Sequence, residues 1–169
     1  MPNWCEGTLK VRGKMIDVAK WVKENVVAYS YEWKKNENGV LYQDTKPLVD
    51  NVVVKYDEFE SEEIYVVVKS LAHISGTTRN FVLEGTYSAI ERADETTILT
   101  LNFKAAWGIQ SMPYVAMSQK YSVDFRLYGF ERGMEYNQEV IVENGRLIQD
   151  MDIKFGDYEW ECIYPQLGG

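Results

Sequence analysis

The sequence predicts an α+β domain: an antiparallel β-sheet covered by two helices, in the element order βαββαβ, elaborated by additional β-hairpins. Three observations carry this expectation. Apolar and polar side chains alternate with a period of two in several runs, the stretch Met15 to Val26 switches to three- and four-residue spacing, and a second helical segment interrupts the later strands.

The first strand is expected from Thr8 to Arg12, where Leu9 and Val11 face one way and Thr8, Lys10 and Arg12 the other. Gly13 ends it. The apolar residues Met15, Val18, Ala19, Val22 and Val26 then mark one buried face of a helix, with Trp21 and Asn25 flanking the stripe. The segment Val27 to Asp50 is polar between aromatic-rich flanks and reads as loop with a hairpin at Asn38-Gly39, Pro47 breaking any longer element. Strands are expected at Val52 to Tyr56, Ile64 to Lys69, Asn80 to Glu84 and Thr96 to Lys104. In the last of these, Thr97, Leu99, Leu101 and Phe103 share a face.

A short helix follows from Met112 to Gln119, with Ser111 as its N-cap and Pro113 tolerated in the first turn. Val123, Phe125 and Leu127 alternate with Asp124, Arg126 and Tyr128. The runs Tyr136 to Glu143 and Arg146 to Ile153 meet across Asn144-Gly145, a dipeptide that suits a type I′ hairpin, and a last strand is expected from Tyr158 to Tyr164. This order is the ferredoxin-like plan, a single domain over residues 1–169 with an elaboration at about 27–94.

Composition agrees with one packed domain, since 46% of the 169 residues are apolar and 14% aromatic. No stretch reaches the roughly 18 uninterrupted apolar residues of a membrane helix, and the opening Met1-Pro2-Asn3-Trp4-Cys5-Glu6 lacks the basic start and apolar run of a secretory signal. A cytoplasmic protein with no membrane partner is expected. The net charge of −8 disfavours direct nucleic-acid binding, which needs cations to displace counterions from phosphates, and favours a basic partner. Cys5 and Cys162 with the single His73 cannot complete a four-ligand zinc site without carboxylates, so buried, unreactive thiols are expected and no metal or cofactor.

Two pieces of the chain resemble a known family. Met1 to Gly13, read as M-P-N-W-C-E-G-T-L-K-V-R-G, is similar to the opening M-P-N-W-C-x-(N/G)-x-L-x-V-x-G of the YubB-like ferredoxin-like proteins of phages, plasmids and other mobile elements. The run Leu101 to Trp107, followed by a helix, a strand and the glycine-containing turn at Glu131 to Gly133, resembles that family's F-x-(T/A)-A-W segment. Gly108-Ile109-Gln110 stands where the family carries Ser-Pro-Pro. The likeness covers about half the chain and leaves out Val27 to Asp94. It implies the ferredoxin-like fold and a mobile-element origin, and it transfers no catalytic residue. Trp4 and Trp107 are expected to be packing residues.

No catalytic residue is expected. His73 has Ser70 and Ser75 nearby in sequence, but adjacency is not triad geometry, and neither a G-x-S-x-G elbow nor a phosphate-cradling loop is present. The segment Arg126-Leu127-Tyr128-Gly129-Phe130 resembles the aromatic strand of RNA-recognition modules, without their basic residues or aromatic spacing. The acidic run Asp57, Glu58, Glu60, Glu62 and Glu63 reads as a solvated turn between strands.

The most informative pattern is C-terminal, where Asp157, Glu159 and Glu161 alternate with Tyr158, Trp160 and Cys162, while Asp150 and Asp152 repeat the alternation on the preceding strand. On strands this aligns the carboxylates on one face, either as a charged outer surface that blocks edge pairing or as a binding face. The function expected is that of a non-enzymatic phage or mobile-element accessory protein. It would bind a basic, nucleic-acid-handling host protein through Asp150, Asp152, Asp157, Glu159 and Glu161, as an inhibitor of a defence system of the anti-CRISPR or anti-restriction type does. The alternative is a nucleic-acid or nucleotide binding or processing protein.

Overall fold

A computed structural model describes residues 3–57 and 63–157. Strand β1 (Trp4–Gly13) occupies the middle of the main sheet, and its alternation decides the two faces. Cys5, Leu9 and Val11 are fully buried, whereas Lys10 and Arg12 reach solvent. Helix α1 (Met15–Asn25) follows at once, burying Met15, Val18, Ala19 and Val22 as the spacing predicts and, in addition, the flanking Trp21 and Asn25.

Between α1 and the next long strand the chain makes eight short or medium strands. These are β2 (Val26–Val27), β3 (Tyr29–Lys35), β4 (Leu41–Pro47), β5 (Val52–Asp57), β6 (Glu63–Val68), β7 (Ala72–Ile74), β8 (Asn80–Val82) and β9 (Gly85–Ile90). Strand β10 (Thr97–Ala106) leads into helix α2 (Ser111–Tyr121), and β11 (Asp124–Glu131), β12 (Tyr136–Glu143) and β13 (Arg146–Lys154) complete the sheet before a 3-10 turn, Phe155–Asp157. Helix α2 begins one residue before the expected start, with Gln110 rather than Ser111 at the N-cap position.

The main sheet is antiparallel and has the strand order β13-β12-β11-β1-β10-β8-β7-β2. Strand β1 is hydrogen-bonded on both sides, Leu9 lying opposite Leu101 of β10 and Leu127 of β11. Both helices lie on the face that carries these leucines. The Trp21 indole N–H donates to the Met117 sulfur at 3.2 Å, and Phe125 receives the edges of Trp21 and Tyr114 at 5.3 and 5.4 Å. Burial of such side chains contributes about 1.5–3 kcal/mol each. This cluster therefore locks the helices to the sheet and to each other.

The ferredoxin-like βαββαβ plan is corrected by this architecture. The chain is mostly β, with an eight-stranded sheet and only two α-helices among the described residues, rather than a small sheet with attached hairpins. The reason lies in the segment after α1. Residues Val27 to Asp94 were expected to elaborate a small core, but β2, β7 and β8 extend the main sheet and β5-β6-β9 form a second, three-stranded sheet. Ile64, Val66, Val68, Tyr87 and Ala89 of that second sheet join the same apolar core as α1 and β1.

Strands β3 and β4 pair as a separate hairpin. They lie in a segment expected to be loop because most of their side chains are exposed, which removes the alternation by which strands are recognised. Their turn falls at Asn38-Gly39, where the Asn36 side-chain oxygen accepts the backbone N–H groups of Asn38 and Val40 at 3.0 and 2.9 Å. The Asn144-Gly145 turn between β12 and β13 has φ of 51° and 69°, the left-handed pair a type I′ hairpin needs. The last expected strand, Tyr158 to Tyr164, and the acidic positions Glu58, Glu60 and Glu62 lie outside the described residues.

One close approach constrains the sheet interior. Gly7 faces Gly129 across the β1–β11 ladder, and a Cβ on Gly129 would sit 2.3 Å from the Cys5 sulfur. Gly129→Ala is expected to cost about 1–3 kcal/mol, as overpacking does. The double variant Cys5→Ala/Gly129→Ala should be less destabilised than the sum of the two single variants by about 0.5 kcal/mol or more, measured by urea unfolding. Strict additivity would mean that the sulfur is not the obstacle.

Candidate functional site

Of the acidic pattern singled out in the sequence, Asp150 and Asp152 fall on β13, the outermost strand of the main sheet on that side among the described residues. In the β12–β13 ladder Asp150 pairs with Val140, Asp152 with Gln138 and Lys154 with Tyr136. Those three β12 residues are buried toward the helix-bearing face, so their partners on β13 share that face at its outer margin. Asp150 and Asp152 are exposed there.

Gln138 ties this margin to the loop between β10 and α2. Its amide nitrogen donates to Asp150 and to the Ile109 carbonyl, each at 3.0 Å, and its amide oxygen accepts the Ile109 N–H at 2.6 Å. The hairpin is held a second time at its turn. Gly145 donates its N–H to the Ser118 hydroxyl and accepts from the Gln119 amide, both at 2.9 Å. The β12–β13 hairpin is thus tied at two points, to the loop before α2 and to α2 itself.

The loop presents Trp107. Its backbone N–H donates to the Asn3 carbonyl at 2.9 Å and its own carbonyl accepts the Tyr136 hydroxyl at 3.1 Å. The backbone is left-handed, with φ of 68°, and the side chain is 63% exposed. Trp107 therefore departs from the packing role expected of it: the turn at Trp107-Gly108 directs the ring away from the core. Trp4 does pack, edge-on against Phe81 and beneath the Lys104 ammonium at 4.5 Å. Between the loop and β13 lies a cleft of about 240 Å³, lined by Ala106, Trp107, Ile109, Tyr136, Gln138 and Asp152.

The electrostatics beneath this cleft are negative. Glu131 is fully buried and accepts the backbone N–H of Gly133 at 2.8 Å and that of Met134. Burial first, and then the nearby carboxylates of Glu131, Asp152 and Glu6, together push the Cys5 thiol up to about 12. The Tyr136 hydroxyl is raised by burial first and then by Cys5, Glu131 and Asp152. Lys154 lies over the Tyr136 ring at 5.0 Å, an ammonium already seated on an aromatic face at this corner.

The remaining acidic candidates are placed differently. Asp157 belongs to the 3-10 turn and not to a strand, so it does not continue the two-residue alternation, because a 3-10 turn does not put residues i and i+2 on one face. Glu159 and Glu161 lie outside the described residues. The Trp107 loop and Gln138 were missed by sequence reasoning, and the only local signal was a tryptophan set before Gly108 at the end of a well-alternating strand.

A larger groove of about 580 Å³ crosses the sheet face that lacks helices, lined by Glu6, Lys10, Asn102, Arg126, Tyr128 and Glu139 among others. Of its two cations, Arg126 is matched by a carboxylate and Lys10 makes no ion pair among the described residues. Arg126 pairs with Glu139 at 2.5 Å, and neighbouring Arg12 pairs with Asp124 at 2.6 Å and Glu143 at 3.0 Å. Phe130 is buried and stacks on Phe155 at 5.1 Å, and the half-buried Tyr128 donates its hydroxyl to Asn137. The Arg126-to-Phe130 strand thus offers no exposed row of rings on which bases could stack.

His73 sits on β7 with Nε2 3.0 Å from the Thr77 carbonyl and Phe81 edge-on at 5.5 Å, while the Ser70 hydroxyl donates to Asn51. Among the described residues no group of three or more His, Cys, Asp or Glu side chains is arranged to hold a metal ion, and no helix is long and apolar enough to cross a membrane. Compared with protein-family models, curated proteins and solved structures, the chain matches none.

The raised Cys5 thiol gives a pH dependence with a defined sign. A group whose native pKa lies above its unfolded value stabilises the fold fully below the unfolded pKa and loses that contribution as pH rises toward the native one. For Cys5 the window runs from the ordinary thiol value of 9.0 to about 12. In a Cys162→Ala background the native protein should resist a thiol reagent at about pH 8 and react fully in denaturant. Its unfolding midpoint should fall more steeply above about pH 9 than that of the variant that also carries Cys5→Ala. Rapid labelling of the native protein would contradict the burial.

Proposed function

We propose that the protein is a non-enzymatic binding protein that engages a basic protein partner through the acidic margin of the main sheet, with Asp150 and Asp152 at its centre. The observation that carries this reading is the placement of both carboxylates, exposed and two residues apart, on an edge strand that side-chain hydrogen bonds anchor to α2 and the Trp107 loop. A rigid support matters because a preorganised charged surface loses little conformational entropy on binding.

Charge distribution supports the same choice. Arg12 and Arg126 of the helix-free face are already paired with carboxylates, and the chain as a whole carries −8. A phosphate chain would have to displace those pairs, whereas a basic protein surface meets the acidic margin directly. The likeness of Met1 to Gly13 to the YubB-like proteins suggests a mobile-element accessory protein. On that reading the basic partner is a nucleic-acid-handling host protein, such as a component of a defence system.

An octa-arginine peptide serves as a model of a basic partner surface. Asp150→Lys/Asp152→Lys is expected to weaken its binding by at least tenfold, about 1.4 kcal/mol, and the parent's affinity should decline as salt rises. The control Glu37→Lys/Glu95→Lys changes the net charge equally at two other exposed positions. Equal losses in the two double variants would make the binding a matter of net charge and overturn the assignment to β13.

A further inference from the structure

Trp107 breaks two ordinary preferences at once. A bulky residue with φ of 68° is strained by about 1–3 kcal/mol, and the neighbouring Gly108 shows that the turn could have used glycine. The ring recovers little of that cost by burial, being 63% exposed. Its backbone is nevertheless held on both sides, by Asn3 and by the Tyr136 hydroxyl, so the point from which the ring projects is fixed. Exposed aromatics anchored beside a cleft are characteristic of contact hot spots.

Asp152 stands in the same cleft. It makes no hydrogen bond or ion pair among the described residues, in contrast to Asp150, which Gln138 engages. The cleft floor is complete without it, because Gln138 is satisfied by Ile109 and Asp150, and Tyr136 by the Trp107 carbonyl. The cleft therefore combines an exposed indole with a carboxylate that has no hydrogen-bond or ion-pair partner among the described residues, and the buried Glu131 lies opposite Tyr136 in the β11–β12 ladder. The Cys5 thiol and the Tyr136 hydroxyl are both raised, by burial first and by Glu131 and Asp152 after it.

We propose that the cleft between Trp107 and Asp152 receives one arginine side chain of the partner, its guanidinium stacked on the indole and hydrogen-bonded to the Asp152 carboxylate. This inference rests on the reading of a basic partner. Arginine suits the site better than lysine, because a planar guanidinium stacks on an aromatic face while its edge offers two parallel N–H groups to a carboxylate. Cation–π attraction is strongest on tryptophan, and arginine is the cation most often found in such pairs.

The test uses N-acetyl-arginine methylamide as ligand and its uncharged isostere N-acetyl-citrulline methylamide as control, with the Trp107 indole N–H followed by NMR and identified with Trp107→Phe. The arginine compound is expected to shift that resonance with millimolar affinity and the citrulline compound to leave it in place. Asp152→Asn should weaken binding about tenfold. Trp107→Gly, which suits a φ of 68°, should fold as the parent does and lose the site. Equal response to arginine and citrulline, or full arginine binding by Trp107→Gly, would overturn the proposal. Octa-arginine separates it from the broader reading. If Trp107→Gly binds the peptide as the parent does while Asp150→Lys/Asp152→Lys fails, the arginine cleft falls and the acidic margin stands. If the charge reversal also has no effect, both fall.

Discussion

Strand β1 is paired along both edges, with Leu9 set between Leu101 and Leu127, and the rest of the molecule is organised by that double pairing. An interior strand has no free edge, so its two faces must serve different purposes. One face buries Cys5, Leu9 and Val11 under α1 and α2; the other displays Lys10 and Arg12. The helices follow β1 and β10, the two strands nearest the centre, and both land on the apolar face because Trp21, Tyr114 and Phe125 can be buried together only there. A chain with this centre grows outward in both directions, toward β13 on one side and β2 on the other.

The outward growth explains why the chemistry of interest lies at the margin. By β13 the helix layer no longer covers the sheet, and nearly every side chain of the strand meets solvent to some degree. Such an edge invites unwanted pairing, and charged residues are the usual protection against it. Asp150 and Asp152 meet that need, yet the Gln138 and Gly145 hydrogen bonds hold the strand more firmly than edge protection requires. Rigidity and charge together support the binding role proposed for this margin, and Trp107 adds an exposed ring on a left-handed backbone.

The helix-free face shows what the same residues do when charges are balanced. Across β1, β11 and β12 the arginines and carboxylates alternate closely enough to satisfy one another. Exposed pairs of this kind contribute about 0–1 kcal/mol each, so their role is to keep a broad sheet soluble and in register rather than to stabilise it strongly. Both arginines are committed there.

What the sequence determined by itself is local. The alternation in β1, β10 and β11, the helical stripe from Met15, and the turns at Asn38-Gly39 and Asn144-Gly145 all follow from side-chain periodicity and backbone preference within a few residues. The juxtaposition of Asp150 and Asp152 was legible for the same reason. Tertiary structure alone decided that β2, β7 and β8 extend one large sheet, that β5, β6 and β9 form another, and that α+β patterning resolves into a mainly β architecture. Strand partners are chosen by long-range burial, and residues such as Ile64 and Val66 look alike in sequence whichever sheet they join. The site followed the same division: a tryptophan at the end of a strand reads as a packing residue until the turn at Trp107-Gly108 aims it outward, because exposure depends on backbone dihedrals and on neighbours far along the chain, which no local period encodes.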